Sequence, residues 1–134
     1  MAFIDFASAF DTIVRGDLME CLRCFGVDEK IVGIIEDMYR EVIVEIRNNN
    51  SSSDQFRSTV GVRQGCKLSP LLFSLYINVL AEEIKETNIG VQLHPGILQI
   101  CILLFADDIA LFADSVKGLQ LLLNTLEAFA REQT

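Results

Sequence analysis

Ile100-Cys101-Ile102-Leu103-Leu104-Phe105-Ala106-Asp107-Asp108-Ile109-Ala110-Leu111-Phe112-Ala113 sets two adjacent carboxylates between two short apolar runs that carry no charge. Both runs contain β-branched or aromatic residues, and the pattern reads as a buried β-hairpin over about 98–113 with the acidic pair at its bend. Like charges held side by side against an apolar wall repel one another and lose hydration, so a fold keeps them there when something compensates. A divalent cation would do that. An Asp-Asp turn projecting into water accounts for the same residues without a ligand. On this stretch alone both readings stand.

The chain has 134 residues, 51% of them hydrophobic and 22% charged, which suits one domain with its own core rather than a disordered segment. The apolar run from Ile97 to Phe105 is interrupted by Gln99 and closed by Asp107, so no membrane span is expected. The N-terminus lacks a basic region followed by an apolar stretch and a small-residue cleavage site. A protein that is not secreted, placed in the nucleus and/or the cytoplasm, is the expectation. Cys21 and Cys24 have metal-ligand spacing but fall within a helical pattern, while Cys66 and Cys101 are single and distant, with His94 the one further soft ligand. Reduced thiols packed as small hydrophobes fit better than a zinc site. The net charge of -8 by itself argues against a nucleic-acid partner, because phosphate binding leaves a basic footprint.

Outward from the hairpin, Ala2 to Phe6 reads as a short buried strand that carries Asp5, followed by the small-residue bend Ala7-Ser8-Ala9 and then Phe10-Asp11. A helix follows with Asp17 as N-cap, Leu18, Cys21, Leu22 and Phe25 inward, and Gly26 as its stop. A second begins at Asp28, turns Ile31, Ile34, Ile35 and Met38 inward, and ends near Arg40. From Glu41 the period changes to two, predicting a strand to Arg47, a polar turn over Asn48 to Asp54, and a partner strand over Gln55 to Val60. These make a β-hairpin at about 41–60.

Gly61-Val62-Arg63-Gln64-Gly65-Cys66-Lys67-Leu68-Ser69-Pro70 is a loop, and Ser69 as N-cap with Pro70 behind it launches a long helix to about Glu86. Leu71, Leu72, Leu75, Tyr76, Val79, Leu80 and Ile84 supply its buried face. Ile89 to Leu93 and a His94-Pro95-Gly96 turn lead into the acidic hairpin, after which Ser115 caps a last helix with Leu119, Leu122, Leu123, Leu126 and Phe129 at helical spacing. Strand, two helices, hairpin, helix, hairpin, helix is an α+β order.

Asp5 ends one core strand, Asp107 and Asp108 bend a core hairpin about a hundred residues further on, and the loop with Arg63, Gln64 and Lys67 lies between. If strand 2–6 neighbours the hairpin in one sheet, the three carboxylates meet on one edge. Such a cluster can hold two magnesium ions about 3.5–4 Å apart, the arrangement that stabilises the attacking and leaving oxygens of phosphoryl transfer. Nucleotidyl transfer is then the natural reaction class. Asp11, six positions past Asp5, reads as a cap or salt-bridge residue rather than a ligand.

Three segments carry a resemblance. Phe3-Ile4-Asp5-Phe6-Ala7-Ser8-Ala9-Phe10-Asp11 resembles the first palm motif of reverse transcriptases, Gly61-Val62-Arg63-Gln64-Gly65-Cys66-Lys67-Leu68-Ser69-Pro70-Leu71-Leu72-Phe73 their second, and Phe105-Ala106-Asp107-Asp108 their third. The Arg-Gln-Gly-Cys and Phe-Ala-Asp-Asp wording looks most like the non-LTR (LINE-type) retrotransposon enzymes. The resemblance covers almost the whole chain.

The resemblance implies an RNA-dependent DNA polymerase palm: a small antiparallel sheet, strand 2–6 with hairpin 98–113, packed on helices. Asp5 and Asp107 would be the principal ligands of two Mg2+ ions, with Mn2+ as a possible substitute, and Asp108 would support them. Phe6 and Ala7 would give backbone contacts to an incoming deoxynucleoside triphosphate, with Gln64 and Gly65 under the nascent base pair. Phe10 would be the gate against a ribose 2′-hydroxyl; a core aromatic explains it equally. Arg63 and Lys67 would meet phosphates of the RNA template or DNA primer; solvated loop charges explain them equally.

Residues 1–134 are then expected to form a single partial domain, the palm, without the fingers and thumb of a parent polyprotein. Little or no primer extension is expected of it alone. The basic stretch Phe56 to Ser69, with Arg57, Arg63 and Lys67 and no acid, eases the conflict with the net charge. Two other classes compete: a truncated or domesticated retroelement remnant that is not an enzyme and acts as a binding domain, and a phosphoacceptor receiver domain. The latter needs its acidic pair near the start of the chain, and here the pair comes late.

Overall fold

Four residues alternating outward and inward make β9 (Asp108–Leu111) the central strand of a three-stranded antiparallel sheet in the order β1-β9-β8. Its neighbours are β1 (Ala2–Asp5) and β8 (Ile102–Phe105). The register aligns Ile4, Ile109 and Leu104 in one row and Ala2, Leu111 and Ile102 in the next. These rows form the inner face. Ile109 and Leu111 are fully buried, each contributing roughly 1.5–3 kcal/mol of transfer free energy. The helices α4 (Ser69–Glu86) and α5 (Val116–Glu132) lie against β8 and β9 respectively. The computed structural model describes residues 1–49, 51–94, 96 and 98–132; Asn50, Ile97 and Pro95 of the expected turn lie outside the described residues.

The remaining helices form a second layer of packing. The helices α1 (Ala9–Thr12), α2 (Arg15–Cys24) and α3 (Glu29–Arg40) follow β1, with α2 packed on both α3 and α4. The expected order of helices and small antiparallel sheets is present, and the chain is α+β. Among the described residues no helix is long and apolar enough to cross a membrane.

Several local expectations need correction. The bend after Asp5 contains the one-turn helix α1, entered through Ser8 in the left-handed region at φ 57°. Asp17 is not an N-cap. Val14 holds that position and Asp17 sits in the first turn of α2, where a carboxylate still complements the helix dipole. Phe25, expected inside, is 42% exposed beyond the end of α2, where Gly26 turns the chain at φ 75°.

Asp28 caps α3 as expected, accepting from the Lys30 N–H at 2.9 Å. Its inner stripe, however, is Val32, Ile35 and Tyr39, while Ile31 and Ile34 stand 51% and 61% exposed. The helix is apolar on two adjacent stripes, and packing against α2 selects one that periodicity alone does not distinguish. In α4, Ser69 is the first helical residue and Leu68 the cap; the Ser69 hydroxyl instead donates to the Arg63 carbonyl at 2.6 Å. Leu71 is exposed, and Phe73 and Ile77 take buried places. The last helix keeps its expected cap, with the Gly118 N–H donating to Ser115 Oγ at 3.1 Å.

The 41–60 hairpin forms as β2 (Val42–Val44) against β5 (Phe56–Ser58), and its tip as β3 (Arg47–Asn48) against β4 (Ser51–Ser52). The strand expected to run to Arg47 breaks at Glu45–Ile46 because Ser53 intervenes. Its hydroxyl accepts from the Ile46 N–H at 3.0 Å and its own N–H donates to the Ile46 carbonyl at 2.9 Å. The acidic hairpin is narrower than 98–113. β7 (Leu98–Ile100) pairs with β6 (Val91–His94) in a separate ribbon, and the ladder resumes where Phe112 N–H donates to the Cys101 carbonyl.

Cys21 is buried in α2, its Sγ 3.4 Å from the Leu75 carbonyl, and Cys24 is exposed one turn on. Burial, with a smaller contribution from Cys24, pushes the Cys21 thiol up to about 11. Thiolate is the reactive form, so at pH 8 Cys21 holds roughly one part in a thousand as thiolate. Alkylation of the native chain followed by peptide mass analysis is expected to label Cys24 within the time that leaves Cys21 unmodified, and to label both in urea. Equal labelling without denaturant would contradict this packing.

Candidate active site

The sheet register brings the predicted carboxylates to one end of the three-stranded sheet. Asp5, the last residue of β1, is the direct antiparallel partner of Asp108, the first of β9, and Asp108 also faces Phe105 across the turn of the hairpin. Cross-strand partners have Cβ atoms about 4.5–5.5 Å apart, and like charges in that relation destabilise a sheet. Asp107 precedes Asp108 in the turn and is half-buried. Ala106 beside it takes φ 51°, a left-handed conformation that a side chain disfavours.

These three carboxylates share a sheet end, but they do not form a ready-made cage: among the described residues no three His, Cys, Asp or Glu side chains converge closely enough to hold a metal ion. In donor chemistry the set fits. It offers only hard carboxylate oxygens, which suit magnesium or manganese.

The same register makes the outer face of the sheet apolar. Phe3 is 76% and Phe105 82% exposed, and with Leu103 and Ala110 they floor a shallow cleft of about 620 Å³ flanked by Asp5 and Asp108.

A second predicted group also comes together. Phe10, Gln64 and Gly65 line one cleft of about 390 Å³ with Cys66, Ser69 and Pro70. The Phe10 ring stacks on Phe73 of α4, centroids 4.7 Å apart and planes 28° from parallel, so Phe10 is at once a core aromatic and a cleft wall. Gly65 takes φ 80°. Gln64 Nε2 donates to both oxygens of Asp11, at 2.9 and 3.1 Å. Asp11 is therefore neither the cap nor the ion-pair residue expected of it; it is the acceptor for Gln64. Phe6 and Ala7 lie apart from this cleft: the Phe6 side chain is half-buried beside Ile77 and Phe129, and Ala7 is exposed in the turn before α1.

The basic residues are more occupied than the sequence suggests. Arg57 pairs with Glu41 at 3.4 Å. Arg63 donates to the Met38 carbonyl at 2.8 Å, and its guanidinium lies 5.9 Å from the centre of the Tyr39 ring. Lys67 is exposed. Arg15 went unnoticed in the sequence, where it is one basic residue ahead of a helix. Its guanidinium donates to the carbonyls of Tyr39, Ser58, Val60 and Gly61 and to the Ser58 hydroxyl. Burial lowers the Arg15 pKa, Tyr39 opposes that and Arg63 adds to it, yet a guanidinium stays charged.

A carboxylate pair facing across an antiparallel sheet, with a third carboxylate in the adjoining turn, offers the hard-oxygen donors that metal-assisted phosphoryl chemistry uses. The family model for reverse transcriptase (RNA-dependent DNA polymerase) matches residues 1–134, and the chain belongs to that family. Its relatives are proteins of retrotransposable elements. It is 32% identical over 92% of its length to the Retrovirus-related Pol polyprotein from type-2 retrotransposable element R2DM of Drosophila melanogaster. It is 32% identical over 99% to the corresponding type-1 element R2 polyprotein of Nasonia vitripennis, and 27% identical over 95% to the Transposon TX1 uncharacterized 149 kDa protein of Xenopus laevis. The resemblance read from three motifs is thus borne out at the level of family. The chain spans only 11%, 13% and 10% of those three proteins.

Proposed function

We propose that residues 1–134 are the palm portion of an RNA-dependent DNA polymerase that joins a deoxynucleoside triphosphate to a primer 3′-hydroxyl on an RNA template. The observation that carries this reading is the Asp5–Asp108 register with Asp107 beside it, in a chain of this family. Asp5 and Asp107 would hold two Mg2+ ions, or Mn2+, with Asp108 in support. When bound, such ions supply charge stabilisation to the attacking and leaving oxygens.

The chain's own residues divide the remaining work. The backbone at Phe6 and Ala7 meets the triphosphate. The Phe10 ring, held by Phe73, limits what fits beside the sugar. Gln64 and Gly65 border the base pair being formed, and Arg63 and Lys67 meet phosphates of template or primer. The relatives are far longer than this chain, and we propose that primer extension needs regions outside it, the fingers and thumb of such a polyprotein. A place in the nucleus or cytoplasm goes with this reading.

The test is metal binding. Calorimetric titration of the chain with Mn2+ is expected to show binding that Asp107→Asn weakens on the order of tenfold or more, a loss at least as large as that of an outer-shell partner. Identical titrations for the two chains would remove the metal site and leave the alternative, a retroelement remnant that binds partners without catalysis.

A further inference from the structure

Behind the turn that follows Asp5, the helices α1, α4 and α5 leave a cavity of about 160 Å³ between them. Four rings wall it, those of Phe6, Phe73, Tyr76 and Phe129, with Tyr76 and Phe129 tilted by 59° and their centroids 6.0 Å apart. Ile13 and Ile77 supply the aliphatic wall, and both are buried. Thr12, which is exposed, and Ala130, which is half-buried, mark the solvent side.

Water gains little there. An ordered water needs about two to four polar partners, and among the described residues no buried side-chain nitrogen or oxygen is without a partner of its own. The Thr12 hydroxyl lies 3.4 Å from the Ser8 and Ala9 carbonyls, to which it donates. Burial, with smaller contributions from Asp17 and Cys21, pushes the Tyr76 phenol up to about 12, so at neutral pH no wall of the cavity is charged. A dry apolar cavity of about 150 Å³ takes a single benzene-sized ring. Edge-to-face and offset contacts with aromatic walls favour a flat ring as the occupant.

A protein partner would need apolar surface around the mouth to seat itself. The strongly exposed large hydrophobic residues, Phe3, Ile31, Ile34 and Phe105 among them, lie elsewhere, and none of them lines this cavity. The volume and the lining therefore favour a free small molecule over the anchor of a macromolecule.

We propose that this cavity is a binding site for one neutral, monocyclic aromatic molecule. The site is separate from the Phe10 cleft and calls for neither metal nor nucleotide. It still bears on the residues around Asp5: Phe6 follows Asp5 in the chain, and Phe73 holds the Phe10 ring from the other side. An occupant touches both.

Fluorobenzene, followed by its fluorine resonance, is the probe. Titrated with the native chain it is expected to bind saturably, with a dissociation constant in the millimolar range or tighter, and to raise the thermal midpoint. Its ring protons are expected to give Overhauser contacts to the methyl groups of Ile13 and Ile77. Benzoate, the same ring carrying a charge, is expected to bind at least about tenfold more weakly. Ala130→Leu, a change between two good helix formers, fills the cavity from α5 and is expected to weaken fluorobenzene about tenfold or more.

Should that variant fold poorly, judged by its near-ultraviolet dichroism, the Overhauser contacts of the native chain locate the ligand by themselves. No saturable binding by the native chain would overturn the inference, as would contacts to Leu103 and Phe105 of the outer sheet face in place of Ile13 and Ile77. Full affinity in a folded Ala130→Leu chain would place the ligand elsewhere. Equal affinity for benzoate would refute the neutral, apolar character of the site.

Discussion

Gly61→Ala is expected to destabilise the chain by about 3 kcal/mol, a backbone conformational cost and a steric cost acting together. Gly61 is buried at φ 77°, where a side chain is strained whatever the space. A Cβ there would also stand 2.7 Å from the Asp11 carbonyl oxygen and 2.9 Å from its C and Cα. All three are backbone atoms of α1, so no rotamer change relieves the overlap. The backbone bonds Gly61 to Ile13 and Val62 to Phe10 would have to lengthen, and Gln64 would move away from Asp11 with them. Urea unfolding measures the loss. Gly16→Ala is the control, in a helix with nothing within 4 Å of the added carbon, and is expected to be neutral or slightly stabilising. Equal midpoints for the two variants would mean that the loop is not seated on α1 as described.

Gly61 also marks what a sequence can and cannot disclose. The stretch Gly61 to Pro70 is recognisable as a loop from its glycines and its Ser-Pro helix start, and its residues are recognisable as a motif. That Gly61 is a contact with Asp11, fifty positions away, is a fact of packing that no local pattern carries. The same division runs through the fold. Strand 2–6 and the acidic hairpin were legible because alternation and a like-charge bend are local, and their mutual register then followed from burying Ile4, Ile109 and Leu104 on one face. The choice between Ile31–Ile34 and Val32–Ile35–Tyr39 on α3 was not legible, since both stripes are apolar and only the position of α2 decides. The diversion of Leu98–Ile100 to pair with Val91–His94 depends on competition between two possible partners for one strand.

The site divides similarly. Its residue types were readable from three motifs, and Phe10, Gln64 and Gly65 do share a cleft. The Asp11–Gln64 hydrogen bonds were not readable, because the spacing offered Asp11 several equally ordinary local roles. Nor was the state of the basic loop. Arg57 and Arg63 looked free in a stretch without acids, but Glu41 and the C-terminal turn of α3 approach from elsewhere in the chain.

Arg15→Ala is expected to cost about 2–4 kcal/mol, and Arg15→Lys to recover less than half of it. A guanidinium has five N–H donors, and in Arg15 each has a partner: Nε to Gly61 at 2.9 Å, Nη1 to Tyr39 at 3.2 Å and Ser58 at 2.7 Å, Nη2 to Val60 at 2.9 Å and to the Ser58 hydroxyl at 3.2 Å. The group also lies 5.2 Å from the centre of the Tyr39 ring. One side chain thus joins the start of α2, the end of α3, the strand β5 and the loop that leads to Gln64. Bonds to a charged donor contribute about 1.5–3 kcal/mol each in favourable cases, but several here are only part-buried and share one ion, so the sum is far below five times that. Truncation takes this donor from the carbonyl oxygens of Tyr39, Ser58 and Gly61, while the Val60 oxygen keeps the Ser58 hydroxyl at 3.1 Å. Lysine restores the charge without the planar fork: three donors on one nitrogen cannot reach carbonyls spread from Tyr39 to Gly61. Thermal unfolding of the three chains separates the two contributions. If Arg15→Lys matched the native midpoint, charge alone would suffice and the hydrogen-bond geometry would be dispensable. If it falls near Arg15→Ala, the loop that presents Gln64 is held in place by a residue outside all three polymerase motifs, and the Gln64–Asp11 contact should weaken in both variants.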